Sequence, residues 1–555
     1  MTAAFSEAGG GRARKHWGWG YADLQPDRAG LEAIAAALGE RLGLGDGRIE
    51  QPVGLEHVLA TVPRTRLRPP NSLADLFSDD PAERATRSLG KAYRDVVRGF
   101  RGRFDHVSDL VALPGSEQEL AEILEWCGDS GVAAIPYGGG TSVVGGVEPR
   151  LGRGYRGAVT IDMARFNRLW DLDLRSRSAR LGAGIRGPDL EAQLRPHGLT
   201  LRHFPQSFEY STLGGWIATR AGGHFATLRT HIDDLVESVR AITPIGEWES
   251  RRLPGSGAGP SPDRMLIGSE GILGVITEAW VRVRPRPTHK VSCGVQFDDF
   301  SAGAEAVRAL AQSDLNPANC RLLDPLEAAT SGAGSGRTAL LVLGFESAFA
   351  PVEEPMRLAL ECVREHGGRP GDQVGTGERG AEAATARGED VVDSWRSAFL
   401  GAPYLRDGLV ACGVLSETFE TAITWDRFAE FHGRVIEAAR RAVAEVCGGP
   451  AEGPGSPRIS ARFTHVYPDG PAPYYTILAP ARRGGEIEQW DEIKAAVSEA
   501  VIAGGGTITH HHAVGRDHRP WYDRQRPEPF AVALGAAKRA VDPAAILNPG
   551  VLIAP

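Results

Sequence analysis

A run of glycines directly after an apolar strand constrains the fold of this chain more than any other feature. The segment Ile135–Gly146 reads IPYGGGTSVVGG and overlaps the apolar stretch Val132–Pro136. Upstream, His106–Pro114 is typical of a strand, and Ser116–Ser130 is typical of a helix with an N-cap serine and an acidic first turn. Strand, helix, strand and glycine loop together form a βαβ unit. Bare backbone N–H groups in such a loop form a nest for a pyrophosphate.

The alternative for this glycine loop is a tight turn that binds nothing. A turn does not require five glycines in the nine positions 138–146, with Thr141 and Ser142 among them. The loop also differs from the GxGxxG dinucleotide fingerprint, because no helical pattern begins inside the glycines. Phosphate binding is therefore the favoured interpretation.

Strand and helix patterns divide the 555 residues into four parts, and the predicted fold class is α+β. Residues 1–103 are predicted to form a helical N-terminal extension, in which the aromatic and glycine segment Lys15–Tyr21 is docked on the protein. Residues 104–287 are predicted to form a two-lobed ligand-binding domain. Residues 288–500 are predicted to form an α+β cap, and residues 501–555 a C-terminal segment that returns to the ligand site.

Composition excludes several classes of protein. The formal net charge is −8, so the chain has no global basic field that would draw it to nucleic acid. No apolar run reaches the roughly 20 residues needed to cross a bilayer. The six cysteines have no CxxC spacing, and no apolar signal stretch opens the chain. We therefore expect reduced thiols and a cytoplasmic location.

Two further segments combine glycines with hydroxyl residues. Phe204–Gly223 reads FPQSFEYSTLGGWIATRAGG, and Ile267–Ile276 reads IGSEGILGVI. Such segments let a backbone approach a flat ring or a phosphate closely, although each alone is equally consistent with an ordinary strand turn. Their order and spacing after the glycine loop make the three segments together far more specific.

These three segments resemble the FAD-binding domain of the vanillyl-alcohol-oxidase and p-cresol-methylhydroxylase (PCMH) superfamily, and within it the alkyldihydroxyacetonephosphate synthase family. The resemblance extends over nearly the whole chain, from Trp17–Tyr21 to Asp542-Pro543. It implies a two-lobed PCMH-type FAD-binding domain with an α+β cap. The closing DPAAILNPG stretch, Asp542–Gly550, supports the superfamily but not a particular reaction.

The resemblance implies FAD bound without a covalent link, and the first loop offers no His or Cys that could form one. By motif position, the residues implied to contact the flavin are Ile135, Pro136, Tyr137, Gly138, Gly139, Gly140, Thr141, Gln206, Ser207, Phe208, Glu209, Tyr210, Ser211, Thr212, Thr219, Arg220, Ala221, Gly222, Glu270, Gly271, Ile272, Leu273, Gly274, Val275 and Ile276.

The family also implies a reaction. The fatty acyl chain of acyl-dihydroxyacetone phosphate is exchanged for a long-chain alcohol, through an adduct at flavin N5 and with no net redox change. Both substrates are lipids, so a peripheral membrane contact is expected, and a homodimer is left open.

Two residues are implied to act on the substrate. Arg406, in PYLRD, falls at the position of the family's carboxylate-binding arginine, and a planar guanidinium suits a departing carboxylate. The alternative is a surface arginine paired with Asp407. By its spacing from Asp469, Tyr475 falls at the position of the family's catalytic tyrosine. Tyr474 is the alternative one residue away, and on a strand the two would face opposite sides.

The family's triple histidine corresponds to His510, His511 and His512, where imidazoles can bind phosphate and move protons. No metal is predicted, because on a strand only His510 and His512 share a face and no third ligand is evident nearby. Arg321 matches a further arginine near the active site, with an ion pair to Asp324 as its alternative role.

Two other functions remain open. One is an FAD-linked oxidase or dehydrogenase of a 2-hydroxy acid such as lactate or glycolate. Such enzymes carry HxGDGN and GEHG stretches, where this chain has THVYPDG at Thr464–Gly470 and HHHAVG at His510–Gly515. The other is a flavin-binding protein without catalysis, in which the presence of Arg406, Tyr475 and the histidines together would be a coincidence.

Overall fold

The structure is a computed structural model and describes residues 12–24, 27–375, 391–448, 453 and 455–554. Helices and strands alternate through most of this range, which confirms the predicted α+β class. The α-helices are Arg28–Leu42, Leu55–Thr61, Pro81–Thr86, Tyr93–Phe100, Glu117–Ser130, Gly187–Leu194, Leu213–Thr219, Asp263–Leu266, Phe300–Ala311, Pro325–Thr330, Glu353–Glu365, Val391–Ala411, Trp425–Cys447, Glu486–Ala503, Arg519–Gln525 and Glu528–Val541. None of these helices is both long and apolar enough to cross a membrane.

The glycine loop follows a strand of a small, mostly parallel sheet. In spatial order its strands are Phe77–Ser78, Leu110–Ala112, Gly157–Asp162 and Val132–Tyr137, and all neighbours after the first pair are parallel. The sheet interior is apolar on both faces, as expected for parallel strands. The loop therefore leaves the carboxyl end of a buried strand, which is where open α/β sheets bind ligands.

A five-stranded antiparallel sheet forms the second lobe. Its strands, in spatial order, are Leu169–Asp173, Ser178–Gly182, Val275–Arg282, Val236–Thr243 and Gly246–Glu249. Helix Leu213–Thr219 packs on this sheet and begins at Thr212, whose hydroxyl accepts from Gly215 N. The second glycine segment thus runs directly into a capped helix. A short pair, Leu199–Thr200 with Arg284–Pro285, closes this region.

The cap is built on a seven-stranded antiparallel sheet. In spatial order its strands are Arg369–Gly375, His289–Phe297, Ala339–Ser347, Asn319–Leu323, Arg458–Val466, Pro471–Pro480 and Val414–Glu420. One face packs against the helices Phe300–Ala311, Glu353–Glu365 and Trp425–Cys447 and forms the largest apolar core. The part of the opposite face near the last three strands lines the functional cavity.

The N-terminal aromatic segment is docked, as predicted. Trp17, Trp19 and Tyr21 are all buried, and the rings of Trp19 and Tyr21 meet Tyr210 edge to face. The segment also contacts helix Val391–Ala411 of the cap: Lys15 Nζ lies 3.0 Å from an Asp407 carboxylate oxygen, and Trp19 N donates to the same oxygen at 2.8 Å. The segment therefore joins the two domains beside Arg406.

The C-terminal segment returns to the glycine loop. Leu547 forms a parallel bridge with Ala134, and Asn548 N donates to Ala134 O at 2.9 Å. The Asn548 side-chain amide donates to the carbonyls of Gly146 and Glu270, at 3.1 and 2.7 Å. These bonds tie the end of the first glycine segment to the third.

Candidate flavin and substrate site

One cavity of about 1180 Å³ lies between the two lobes and the cap. The three glycine segments form one end of it, and the face of the seven-stranded sheet opposite the helices forms a side wall. Helix Arg28–Leu42 and helix Val391–Ala411 close the other end with apolar side chains: Ala33, Ile34, Ala37, Leu38, Leu42, Leu405 and Leu409. The cavity is therefore polar at the glycine loops and apolar at the far end.

The glycine loop packs directly on the second segment, which explains why its residues must be glycine. A Cβ on Gly139 would lie 2.1 Å from the carbonyl oxygen of Tyr210, and one on Gly138 would lie 2.3 Å from Thr212 Oγ1. Gly140 has a φ of +68°, a conformation that glycine adopts without strain. Two backbones can approach this closely only when side chains are absent.

The same loop leaves backbone donors available to a ligand. Within the described residues, the N–H groups of Gly139, Gly140 and Thr141 donate no hydrogen bond to the protein, although all three residues line the cavity. Arg14 adds a cation, since its Nη1 donates to Gly139 O at 3.3 Å and to Tyr137 OH at 2.9 Å. Free amides beside a guanidinium fit the diphosphate of FAD.

The third segment contains a buried carboxylate, Glu270. Glu270 accepts hydrogen bonds from Val514 N at 2.9 Å and from Gly515 N at 2.8 Å. Burial raises the pKa of Glu270 to about 7, although the two backbone donors oppose that rise. Glu270 therefore connects the flavin-side wall to the segment that carries the three histidines.

Most residues implied to contact the flavin line the cavity. They are Pro136, Tyr137, Gly138, Gly139, Gly140, Thr141, Gln206, Ser207, Ser211, Thr212, Thr219, Ala221, Gly222, Glu270, Gly271, Gly274, Val275 and Ile276. The other seven do not line the cavity, and their contact with the flavin stays a prediction. Ile135, Ile272 and Leu273 are buried in apolar cores.

The side chains of the remaining four residues have partners outside the cavity. Phe208 stacks on Trp216, and Tyr210 packs with Trp19 and Tyr21. Glu209 is exposed and accepts a hydrogen bond from Tyr404 OH. Arg220 forms an ion pair with Asp233 at 2.8 Å. All three predicted segments therefore line the cavity, although not every residue within them does.

On the cavity side of the seven-stranded sheet, polar side chains from neighbouring strands lie next to one another. Thr418 is paired with Thr476, and Arg462 is paired with Tyr474, in the antiparallel register. All four line the cavity, and the Arg462 guanidinium carbon lies 3.9 Å from the centre of the Tyr474 ring. Tyr474 therefore places its phenol in the cavity beside the positive charge of Arg462.

The structure does not bring Tyr475, the predicted catalytic tyrosine, to the cavity. Tyr475 is fully buried, stacks on Phe419 with ring centres 4.7 Å apart, and shares a hydrogen bond of 3.1 Å with His432 Nδ1. Consecutive strand residues face opposite sides, so Tyr475 points into the helix-covered core while Tyr474 points into the cavity. The neighbours could have revealed this, because Ile477 and Ala479 share the apolar face with Tyr475.

Arg406 lines the cavity, and its alternative role as a partner of Asp407 is not observed. Asp407 is occupied by Lys15 and by Trp19 N. The Nε atom of Arg406 is buried and has no hydrogen-bond partner in the described part of the chain. A half-buried guanidinium at the junction of the polar and apolar ends can accept a carboxylate there.

The three histidines lie on a bent loop and not on a strand, so the expected alternation of faces is wrong. Their backbone is organised by Glu420, which accepts from the N–H groups of His510, His511 and His512 at 2.8, 3.1 and 3.0 Å. Burial alone raises the pKa of Glu420, but the imidazoles and Thr509 hold it well below its ordinary value.

His511 and His512 line the flavin cavity, whereas His510 lines a second cavity behind it. Burial lowers the pKa of His511 to about 3 and that of His512 to about 4. Both imidazoles are therefore neutral at neutral pH. A neutral imidazole can accept a proton from one partner and donate one to another.

A third imidazole, His465, stands beside them. One ligating nitrogen each from His465, His510 and His511 lies within 4.8 Å of the others, a spacing that could hold a metal ion. Both nitrogens of His510 are already engaged, Nε2 with Tyr467 OH at 2.7 Å and Nδ1 with His511 Nδ1 at 3.2 Å. A metal would have to displace the second of these bonds.

Sequence reasoning did not identify Glu420, Arg462, His465 or Tyr467 as site residues. Arg462 could have been found from its strand, because it alternates with Thr464 on the cavity face. His465 could not, since a bulge between Phe463 and His465 brings two successive residues to the cavity.

Arg321 lines the cavity from strand Asn319–Leu323. Its Nη2 donates to His224 O at 3.1 Å, and burial lowers the pKa of its guanidinium to about 9. Asp324 instead accepts from Glu327 N and Ala461 N, which caps the following helix. Arg321 therefore supplies a buried positive charge to the polar end of the cavity.

Comparison with known proteins agrees with this geometry. A family model for an FAD binding domain matches residues 108–250, and one for the C-terminal domain of FAD linked oxidases matches residues 286–552. Alkyldihydroxyacetonephosphate synthase of Trypanosoma brucei brucei is 30% identical over 92% of this chain and 85% of that protein. Glycolate oxidase subunit GlcD of Bacillus subtilis is 24% identical over 81% of this chain and 90% of that protein.

A solved structure of an alkyldihydroxyacetonephosphate synthase has the same fold. It is 24% identical and superposes with a TM-score of 0.76, covering 96% of this chain and 98% of that chain. The predicted fold class and the FAD cofactor are thereby confirmed. The chain belongs to the alkyldihydroxyacetonephosphate synthase family of flavoenzymes.

Proposed function

We propose that the protein is an ether-lipid synthase, which exchanges the acyl chain of 1-acyl-dihydroxyacetone phosphate for a long-chain alcohol with no net redox change. The observation that carries this proposal is one continuous cavity with three chemically distinct parts. Free amides lie at the glycine loop, an available guanidinium lies at Arg406, and apolar side chains line the far end. A phosphorylated head group joined by an ester to an alkyl chain has the same sequence of chemical groups.

The apolar end would hold the alkyl chain of either substrate. Helix Arg28–Leu42 contributes Ile34 and Leu38, which form one apolar cluster with Leu409 and Leu478. Burying each methylene there contributes about 0.8 kcal/mol, so this surface favours long chains over short ones. The expected membrane contact belongs to the same proposal, because such chains must be loaded from a bilayer. The homodimer stays a prediction from the family resemblance.

Arg406 would bind the carboxylate that leaves when the acyl chain departs. Its guanidinium can donate two parallel hydrogen bonds, and a fatty acid carboxylate can accept both. The charge of this carboxylate develops during the bond cleavage. The interaction is therefore stronger in the transition state than with the intact ester, which is the condition for accelerating the step.

Tyr474 would handle the proton on the substrate carbon beside the ester. Burial raises the pKa of its phenol, and the neighbouring Arg462 opposes that rise. Arg321, with His511 and His512, would supply donors to the head-group phosphate at the polar end. When bound, FAD supplies an electrophilic nitrogen, N5, that can take up the substrate carbon.

A flavin absorbance titration tests this proposal. Under anaerobic conditions, acyl-dihydroxyacetone phosphate is expected to bleach the flavin, and lactate or glycolate is expected to leave it unchanged. In Arg406→Ala the holoprotein should stay yellow and the bleaching should be lost, while Arg406→Lys should retain part of it. Bleaching by a 2-hydroxy acid but not by the lipid would instead identify a dehydrogenase.

A further inference from the structure

A second cavity lies directly behind the flavin cavity. Its volume is about 880 Å³, and its lining includes Thr230, His231, Tyr467 and His510. His511 lines both cavities, so it stands in the wall between them.

Four hydrogen bonds run without a break from this wall along the lining of the second cavity. His511 Nδ1 lies 3.2 Å from His510 Nδ1, and His510 Nε2 lies 2.7 Å from Tyr467 OH. Tyr467 OH lies 3.0 Å from Thr230 Oγ1, which lies 3.1 Å from His231 Nδ1. Each group in this chain can both donate and accept, which is the requirement for passing a proton along.

One carbonyl determines the direction of every bond in the chain. His231 Nε2 lies 3.1 Å from the carbonyl oxygen of His510, which can only accept, so Nε2 carries the hydrogen. In the neutral ring, His231 Nδ1 is then an acceptor, and Thr230 must donate to it. Tyr467 in turn donates to Thr230.

The same reasoning extends to the two remaining imidazoles. Because the Tyr467 hydroxyl donates to Thr230, it must accept from His510 Nε2–H, and His510 Nδ1 is then an acceptor. His511 therefore donates from Nδ1. A single pattern of tautomers satisfies all four bonds, and it points from the flavin cavity toward the second cavity.

We propose that the chain His511, His510, Tyr467, Thr230 and His231 is a proton relay between the flavin cavity and the second cavity. This inference rests on the proposed function, because that reaction requires a proton to leave the substrate carbon. One proton enters at His511, each group passes on the proton it holds, and His231 gives up its Nε2 hydrogen to water in the second cavity, because the His510 carbonyl cannot take a proton. Rotation of the hydroxyls and rings then restores the starting tautomers. The number of protons held by the chain is unchanged after each passage.

Glu420 is placed to support this transfer. Its carboxylate lies 3.4 Å from His511 Nδ1 and 3.9 Å from His510 Nδ1. A fixed negative charge at this distance stabilises the positive charge that each imidazole carries during the passage of a proton. Glu420 is itself held by Thr509, whose hydroxyl donates to it at 2.6 Å.

Removing single hydroxyl groups from the chain tests the relay. In FAD-loaded protein, Tyr467→Phe and Thr230→Val should each lower kcat for ether formation by about 10²-fold, with KM for both substrates nearly unchanged. Thr230→Ser keeps the hydroxyl and should rescue most of the kcat that is lost in Thr230→Val. The double variant should be no slower than either single variant, because one break already stops the relay. Wild-type kcat in Tyr467→Phe would overturn the proposal.

Nitrogen-15 spectra of histidine-labelled holoprotein give a readout that needs no activity. The relay requires hydrogen on Nε2 of His231, on Nε2 of His510 and on Nδ1 of His511, and Tyr467→Phe should shift the His510 resonances. A different tautomer at any of the three overturns the relay, even in an active enzyme. Conversely, the predicted tautomers in a protein without synthase activity would contradict the proposed function and leave the relay standing.

Metal analysis of the same preparation excludes the competing use of these imidazoles. The relay predicts less than one bound transition-metal ion per chain and kinetics that are unaffected by a chelator. A stoichiometric metal that is lost in His465→Ala would overturn the relay, because the metal would occupy the nitrogens that the protons must pass.

Discussion

The glycine loop and the cavity face of the cap sheet build two halves of one site in different ways. The loop offers backbone groups, and its side chains are absent because Tyr210 O and Thr212 Oγ1 occupy their space. The sheet offers side chains, such as Tyr474 and Arg462, whose position depends on strand register. A site made of backbone can hold the same cofactor in many enzymes, whereas a site made of side chains determines the reaction.

The largest expected effect comes from placing a side chain in the glycine loop. Gly139→Asp should give purified protein without flavin, because even its Cβ would lie 2.1 Å from Tyr210 O and the loop would have to move. The ratio of flavin to protein absorbance measures this. Gly152→Asp is the matched control, since a Cβ at Gly152 meets nothing within 4 Å, and it should remain fully yellow. A normal flavin content in Gly139→Asp would contradict the loop assignment.

The side-chain half is tested by two adjacent tyrosines. Tyr474→Phe should lower kcat by about 10²-fold to 10⁴-fold and leave the flavin bound, because it removes the phenol hydroxyl that this residue places in the cavity. Tyr475→Phe should keep nearly wild-type kcat and lose about 1 kcal/mol of unfolding free energy, through the bond to His432. Steady-state kinetics and urea unfolding of both variants give the answer. The reverse pattern would restore Tyr475 as the catalytic residue.

The N-terminal segment Lys15–Tyr21, which contacts both the flavin lobes and the cap, contains one partner of a buried ion pair. Lys15 and Asp407 side chains are 2% and 1% exposed, so Lys15→Met leaves an uncompensated buried carboxylate and should cost about 3–5 kcal/mol of unfolding free energy. Thermal melting measures the loss. Arg12→Met, which removes an exposed pair with Asp23, should barely change the melting temperature. Equal decreases of the melting temperature in the two variants would show that the stabilisation does not depend on the burial of Lys15.

The last prediction is a pH dependence of the free energy of unfolding. Burial lowers the pKa of His512 to about 4 and that of His518 to about 3, so both stay neutral in the folded protein while the unfolded chain protonates them below about 6.5. The folded state therefore loses about 1.4 kcal/mol per pH unit for each imidazole as the pH falls from about 6.5 to about 4.

Urea midpoints measured between about pH 7.5 and about pH 5 test this slope. His518→Gln should reduce it by about one proton, since one of the titrating imidazoles is removed. An unchanged slope in this variant would mean that other groups control the acid sensitivity.

The glycine half of the site was largely predictable from sequence, and the side-chain half was not. Glycines and hydroxyls that act through the backbone lie together in short segments such as Pro136–Ser142. Glu420 is 90 residues from His510, and Tyr467 is 43 residues from it, so no local pattern links them. The choice between Tyr474 and Tyr475 required strand register, which one motif spacing did not determine.

Conversion of labelled hexadecanol by the FAD-loaded protein tests the central claim most directly. With acyl-dihydroxyacetone phosphate, without oxygen and without any electron acceptor, the label should appear in an ether-linked product, with one free fatty acid released for each product formed. No ether product from a protein that holds its full complement of FAD would contradict the account, and turnover of lactate or glycolate with an added acceptor would replace it.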